Sequence, residues 1–250
     1  MTSTSGYTSG SNNYLGINTR IEKQDLVHTA FGTGNAKSLT VSFWVKASKT
    51  GNLLFEVYKD RHACQLAAIN SADTWEYKTL TFSGDTVADW LSSGANAGGY
   101  FNFFLLLGSN YKTGTLPTSF TNYSSAHRGV GMTNFGDTND YVAITGVQLE
   151  LGSVATPFEH RTYGEELARC QRYYEVIKDI RFLNDSNSTD HIHTYTFMVE
   201  KRAAPSMTNN ITMDNGGSTS NPYVSTSAFS LQNSVAGRHW YGTCYADAEL

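Results

Sequence analysis

Residues 38–58 read SLTVSFWVKASKTGNLLFEVY. Leu39, Val41, Phe43 and Val45 alternate with Thr40, Ser42, Trp44 and Lys46, the period of two that marks a strand with one face in a core. Lys49-Thr50-Gly51 reads as a hairpin turn, with residues 52–58 as the returning strand. The pattern continues outward. In TWEYKTLTF (74–82), Trp75, Tyr77, Thr79 and Thr81 alternate with Glu76, Lys78, Leu80 and Phe82, and Trp75 is expected to pack in the core. YFNFFLLL (100–107) is apolar on both faces, as a central strand is. In YVAITGVQLEL (141–151) the apolar phase shifts at Gly146, which a β-bulge there reconciles.

Composition agrees with an all-β chain. Of 250 residues, 40% are apolar, 13% aromatic and only 16% charged, with 15 Tyr and 13 Phe. Aromatics with Ser, Thr, Asn and Gly suit strands and turns better than helices. The formal net charge of −4 carries no basic patch, so nucleic acid is not an expected partner. No apolar run reaches the roughly 20 residues of a membrane-spanning helix, and the polar first residues read as neither signal peptide nor anchor. The three cysteines, Cys64, Cys170 and Cys244, are too few and too far apart for a disulfide framework or a zinc site. They read as ordinary thiols of a protein that folds in a reducing cytoplasm.

Residues 1–20 read as a tail or a loose first strand. Residues 108–140 form a Gly/Ser/Thr/Asn stretch too long for a simple connection, so it carries a functional surface or hides short strands. From Thr162 the period becomes helical. Leu167, Cys170, Tyr174 and Ile177 share a stripe, Thr162 and Glu165 form a capping box, and about four turns are expected. Beyond Asp179 strands return. His191, His193, Tyr195, Phe197 and Val199 share one strand face.

Several chemistries are weakly spelled. FGTGNAKS (31–38) lacks the glycines of a phosphate loop at two positions. Glycoside cleavage needs two facing carboxyls, and among Asp85, Asp89, Asp137, Asp140 and Glu150 no spacing favours a pair. Without a triad, metal motif or carboxylate signature the chain reads as non-enzymatic. Calcium needs six or more oxygens, for which Asp137, Asp140 and Glu150 are scattered candidates, with Glu159 nearby. Tyr111 and Tyr123, with His127 near, are the loop residues best placed to stack on and bond a sugar.

The run TGVQLELGSVATPFEHRTYGEELARCQRYYE (145–175) resembles a signature of bacteriophage fibre and tail-fibre-like virion proteins, notably of marine phages. RIEKQDL, FGTGNAKSLTVSFWVKASKTG, SADTWEYKTLTFSGDT and FLLLGSNYKTGTL agree with it in order, and VEKRAAPS and the terminal YADAEL resemble its later motifs. The likeness spans residues 21–205 and the last few. It implies a jelly-roll β-sandwich of carbohydrate-binding-module type (1–158), a helical connector (159–179) and a small C-terminal β domain (180–250). It also implies a homotrimeric virion component, assembled in the host cytoplasm, that contacts other virion proteins and attaches to host-surface glycans. Within a trimer the Leu167/Cys170/Tyr174/Ile177 stripe is the expected assembly seam. Three His191/His193 pairs around the axis would offer six nitrogens to a transition metal; otherwise no cofactor is expected. The alternatives are a capsid-decorating or connector subunit without a receptor, and a polysaccharide-degrading spike.

Overall fold

The computed structural model describes residues 10–88, 90, 97–183, 191–213, 219–233 and 239–249. It is all-β, with fourteen strands and two short α-helices among these residues. Two compact units divide the chain, one running to Glu159 and the other spanning His160–Glu249.

In the first unit the strands are β1 (Tyr14–Glu22), β2 (Leu39–Ala47), β3 (Gly51–Tyr58), β4 (Arg61–Ile69), β5 (Glu76–Phe82), β6 (Ala97–Leu107), β7 (Thr121–Asn122) and β8 (Val142–Leu151); the four-residue helix α1 (Lys23–Leu26) follows β1. They form a five-stranded sheet, β1-β6-β3-β4-β7, and a three-stranded sheet, β5-β2-β8. The chain passes repeatedly from one sheet to the other, the jelly-roll form of an antiparallel sandwich. The expected period of two is realised. Val41, Phe43 and Val45 are fully buried and meet Phe55, Phe103 and Phe82 in the core. The Phe43 and Phe103 rings lie 4.9 Å apart, edge to face, an arrangement that adds to their burial. β6 lies between β1 and β3, and it is apolar on both faces because Phe101, Phe103 and Leu105 join the sandwich core while Phe104 and Leu107 pack with Met132 in a second, smaller cluster.

Two expectations are corrected here. Lys49-Thr50-Gly51 does not close a hairpin, because β2 pairs with β5 and β8 while β3 pairs with β4 and β6. The three residues form a corner between sheets. Lys49 is held there by Asp137 at 2.7 Å and Asp140 at 2.8 Å. The hairpin is instead β3–β4, closed by Lys59-Asp60, a turn without the Gly or Asn that would betray it in sequence. Trp75 is exposed rather than packed in the core, because Leu80 and Phe82 set the inner face of β5 and the odd positions point outward. The bulge at Gly146 is present. Gly146 has φ +59, and the β2–β8 register shifts between Ser42 and Trp44.

The second unit holds the helix α2 (Tyr163–Gln171) and the strands β9 (Tyr174–Leu183), β10 (His191–Thr196), β11 (Ser206–Met213), β12 (Thr219–Ser220), β13 (Ala228–Asn233) and β14 (His239–Asp247). These form two three-stranded sheets, β11-β14-β9 and β10-β13-β12, around Ile180, Phe229, Leu231, Trp240 and Cys244. The capping box is as expected, with Thr162 accepting from the Glu165 N–H and Glu165 returning to Thr162. The length of the helix is corrected. It ends after nine residues, and Tyr174 and Ile177 belong to β9. The β9–β14 register shifts between Gly242 and Cys244, and Asp179 has φ +55. On β9 Tyr174 is exposed while Ile177 packs on the second core, so the two do not share a stripe, although their spacing of three matches a helix.

Candidate functional site

The outer face of the five-stranded sheet carries three cross-strand rows. The first runs Arg20, Tyr100, Tyr58, His62, one residue from each of β1, β6, β3 and β4. The second runs Asn18, Asn102, Glu56, Cys64, and the third Gly16, Phe104, Leu54, Leu66. The long segment after β6 folds over part of this face. Asn134 is its fastener, accepting from the Leu107 N–H and donating to the Leu107 carbonyl at 3.1 and 3.0 Å. Met132 closes a small core over Leu54, Cys64, Phe104 and Leu107. The segment hides short elements, β7 and two single-turn helices (Ser109–Tyr111 and Ser125–His127).

Glu56 is the centre of the second row and is fully buried. A bare carboxylate there would cost several kcal/mol. Instead it accepts from Arg128 Nε at 3.0 Å, from the Arg128 Nη2 on its other oxygen, from Asn102 Nδ2 at 2.8 Å and from His62 Nδ1 at 3.0 Å. The Ser124 N–H donates to His62 Nε2 at 3.3 Å, which leaves Nδ1 as the proton-bearing nitrogen. Burial alone would raise the Glu56 carboxyl; the His62, Arg128 and Asn102 bonds outweigh it and hold it below its ordinary value.

Glu56, His62 and Cys64 stand close enough to share a metal ion. The donor set does not suit one. Arg128 already neutralises the carboxylate, and a cation beside a guanidinium is repelled. Burial, and then the neighbouring Glu56 carboxylate, push the Cys64 thiol up, whereas a metal needs the thiolate. The cluster instead fixes Arg128, whose Nη1 donates to the Tyr123 hydroxyl at 3.2 Å and whose guanidinium lies 4.5 Å from the Phe104 ring centre.

Beside this row on the same face runs the first one, in which Arg20 is exposed, Tyr100 and Tyr58 are half-buried and His62 is buried. Tyr123 is 40% exposed and packs 4.8 Å from Tyr58 and 5.1 Å from His62. Tyr58 in turn lies 5.7 Å from Tyr100, and the Arg20 guanidinium sits 5.1 Å from the centre of the Tyr100 ring. Burial, joined at Tyr58 by the Glu56 charge, raises the Tyr58 and Tyr123 phenols, so both remain neutral donors. A held aromatic patch with hydroxyls and one cation can stack on a sugar ring and bond its rim.

The residues singled out in sequence are dispersed. Tyr123 packs from the loop onto the row, against Tyr58 and His62. Tyr111 donates its hydroxyl to the Asn12 carbonyl at 2.9 Å and packs edge-on to Tyr14, which ties the start of β1 to the loop. His127 lies against Gly114, whose φ of +83 and lack of a Cβ give the ring its space. The His191 side chain lies outside the described residues. His193 is half-buried on the face of β10 that sends Tyr195 and Phe197 to the second core. Leu167 and Cys170 are exposed on α2, while Ile177 packs on that core.

The carboxylates considered for catalysis or calcium are occupied within the fold. Asp85 is buried against Arg61 and accepts from Trp90 Nε1 at 3.1 Å. Asp140 accepts from Ser48 Oγ at 3.0 Å and pairs with Lys49. Glu150 holds the Thr156 N–H at 3.0 Å, and Gln148 Oε1 holds the Glu159 N–H at 2.8 Å. QLELGSVATPFE is thus a strand whose polar side chains clamp its own return. Asp89 lies outside the described residues.

Tyr58, Tyr100, Arg20 and Arg128 are missed by sequence reasoning. Only strand register brings them together, and register is invisible until the β3–β4 hairpin is placed. Comparison with protein-family models and with curated proteins found no match. No helix among the described residues is long and apolar enough to cross a membrane.

Proposed function

We propose that this protein is a non-enzymatic subunit of a phage virion fibre or appendage, which attaches the particle to host-surface glycans. The observation that carries the binding part is the Tyr123–Tyr58–Tyr100 row, set on a sheet face and held from beneath by the Glu56–Arg128 network. Rings fixed before contact lose little entropy on binding. Support for a virion component is the ordered resemblance of several separate segments to phage fibre proteins.

A contact of one sugar with such a row is weak, on the order of millimolar. Repetition on a trimer, and on several fibres, raises avidity through effective concentration. Leu167, 41% exposed, and the exposed Cys170 lie on α2 and form part of the proposed trimer seam. Leu167→Asp is expected to lower the trimer's melting temperature; an unchanged value, by calorimetry of a species of verified trimer mass, counts against the seam.

Glycan-array binding and host-cell adsorption by the intact protein test the function. Binding that falls with Tyr123→Ala supports it, and absence of binding by the trimer favours a connector role. Release of oligosaccharide from host polysaccharide would replace adhesion with cleavage.

A further inference from the structure

We infer that the row selects acidic glycans, chains that carry uronic-acid carboxylates, and that Arg20 reads the acid; this rests on the glycan-binding reading above. Arg20 projects from β1 at the end of the row, exposed, over the Tyr100 ring. A guanidinium stacked on an aromatic face is oriented by it, yet keeps its edge N–H groups for a carboxylate. Among the described residues no carboxylate lies within ion-pair distance of Arg20. Its strand neighbour Glu22 is buried and accepts from Gln24 at 2.9 Å.

The other charges near the row are committed or give it direction. Arg128 is taken by Glu56 and Tyr123, so it adds no free cation. Asp60 is exposed in the turn after Tyr58, two strands from β1. An acidic sugar is therefore drawn with its carboxylate to Arg20 and away from Asp60. Arg20, Tyr100 and Tyr58 stand on successive strands about 4.8 Å apart, a step close to the length of one pyranose ring. A chain crossing the strands would place one ring beside the tyrosines and the next acid at Arg20. A guanidinium–carboxylate contact has geometric specificity as well as charge, so it discriminates acid from ester.

The test is calorimetric titration of the full chain with galacturonate and mannuronate tetramers and with their methyl esters. Acid is expected to bind about tenfold more tightly than ester for at least one pair, the preference one charge-assisted contact supplies. Arg20→Gln should bring the acid-to-ester ratio to about one, and Arg20→Lys should restore part of it. Equal binding of acid and ester, or a preference that survives Arg20→Gln, overturns the role of Arg20 and leaves sugar binding standing. If neither form binds while neutral oligosaccharides do, acid selection fails alone. If no oligosaccharide binds, the glycan-binding reading fails with it.

Discussion

Each unit buries a carboxylate against a cation, and the two pairs are put to different uses. In the second unit Lys201 donates to Glu175 at 2.5 Å and to the Val199 and Gln171 carbonyls, and lies 4.8 Å from the Phe197 ring centre. Beside it the Arg202 N–H bonds the Arg172 carbonyl, Arg202 Nη1 bonds the Ala248 carbonyl, and the Ala248 N–H bonds the Tyr173 carbonyl. Three separate sequence segments, CQRYYE, VEKR and YADAEL, are thereby tied in one knot. In the first unit the Glu56 cluster ties a long surface segment to a sheet and leaves Tyr123 exposed beside the half-buried Tyr58 and Tyr100. The same chemistry closes a fold in one place and builds a surface in the other.

The difference explains what can be read from sequence. The knot residues sit in contiguous segments, as do the Thr162 cap and the Gln148/Glu150 clamp, so they are visible as short motifs. Their work is architectural, and motifs built of such clamps say little about a ligand. Arg128 lies 72 residues from Glu56. The strand that carries Glu56 is paired to β4 through Lys59-Asp60, which lacks the Gly or Asn of a turn signal. The strands of the sandwich were legible because alternation is local; the tyrosine row was not, because it exists only after four strands pair.

Breaking the knot should have the largest effect. Lys201→Ala leaves Glu175 buried without its cation and should cost about 3–5 kcal/mol. Hydrogen exchange should then rise through β9, β11 and β14 while β2, β3 and β6 keep their protection. Loss of protection in both sets would deny the units their separate stabilities.

The Glu56 cluster should respond next, and to pH. The Glu56 carboxyl is held below its ordinary value, so its contribution is complete above the usual range near ~4.3. It is lost as pH falls through the lower, folded-state value. Acid unfolding of the first unit should steepen there, and Glu56→Gln should flatten that limb and lower stability at neutral pH by roughly 2–3 kcal/mol. An unchanged acid limb in Glu56→Gln, followed by tryptophan fluorescence, would remove the cluster from the account of stability.

The tyrosine row should divide the two properties. Tyr123→Ala should reduce glycan binding at least about tenfold, a loss near 1.4 kcal/mol, while the melting temperature moves by only a few degrees. A large fall in stability with binding intact would make Tyr123 a packing residue. The smallest effect is expected at the helix cap, where Thr162→Ala should cost about 1 kcal/mol in the second unit and leave binding untouched.

Amide-resolved hydrogen exchange of the full chain, with and without a bound oligosaccharide, tests the contrast between surface and clamp most directly. Added protection should fall on β1, β6 and β3 around Arg20, Tyr100 and Tyr58 and on the segment around Tyr123. The clamp at 148–159 and the knot at 171–202 should be unchanged. Protection centred on either of those, with none on the tyrosine row, would contradict it.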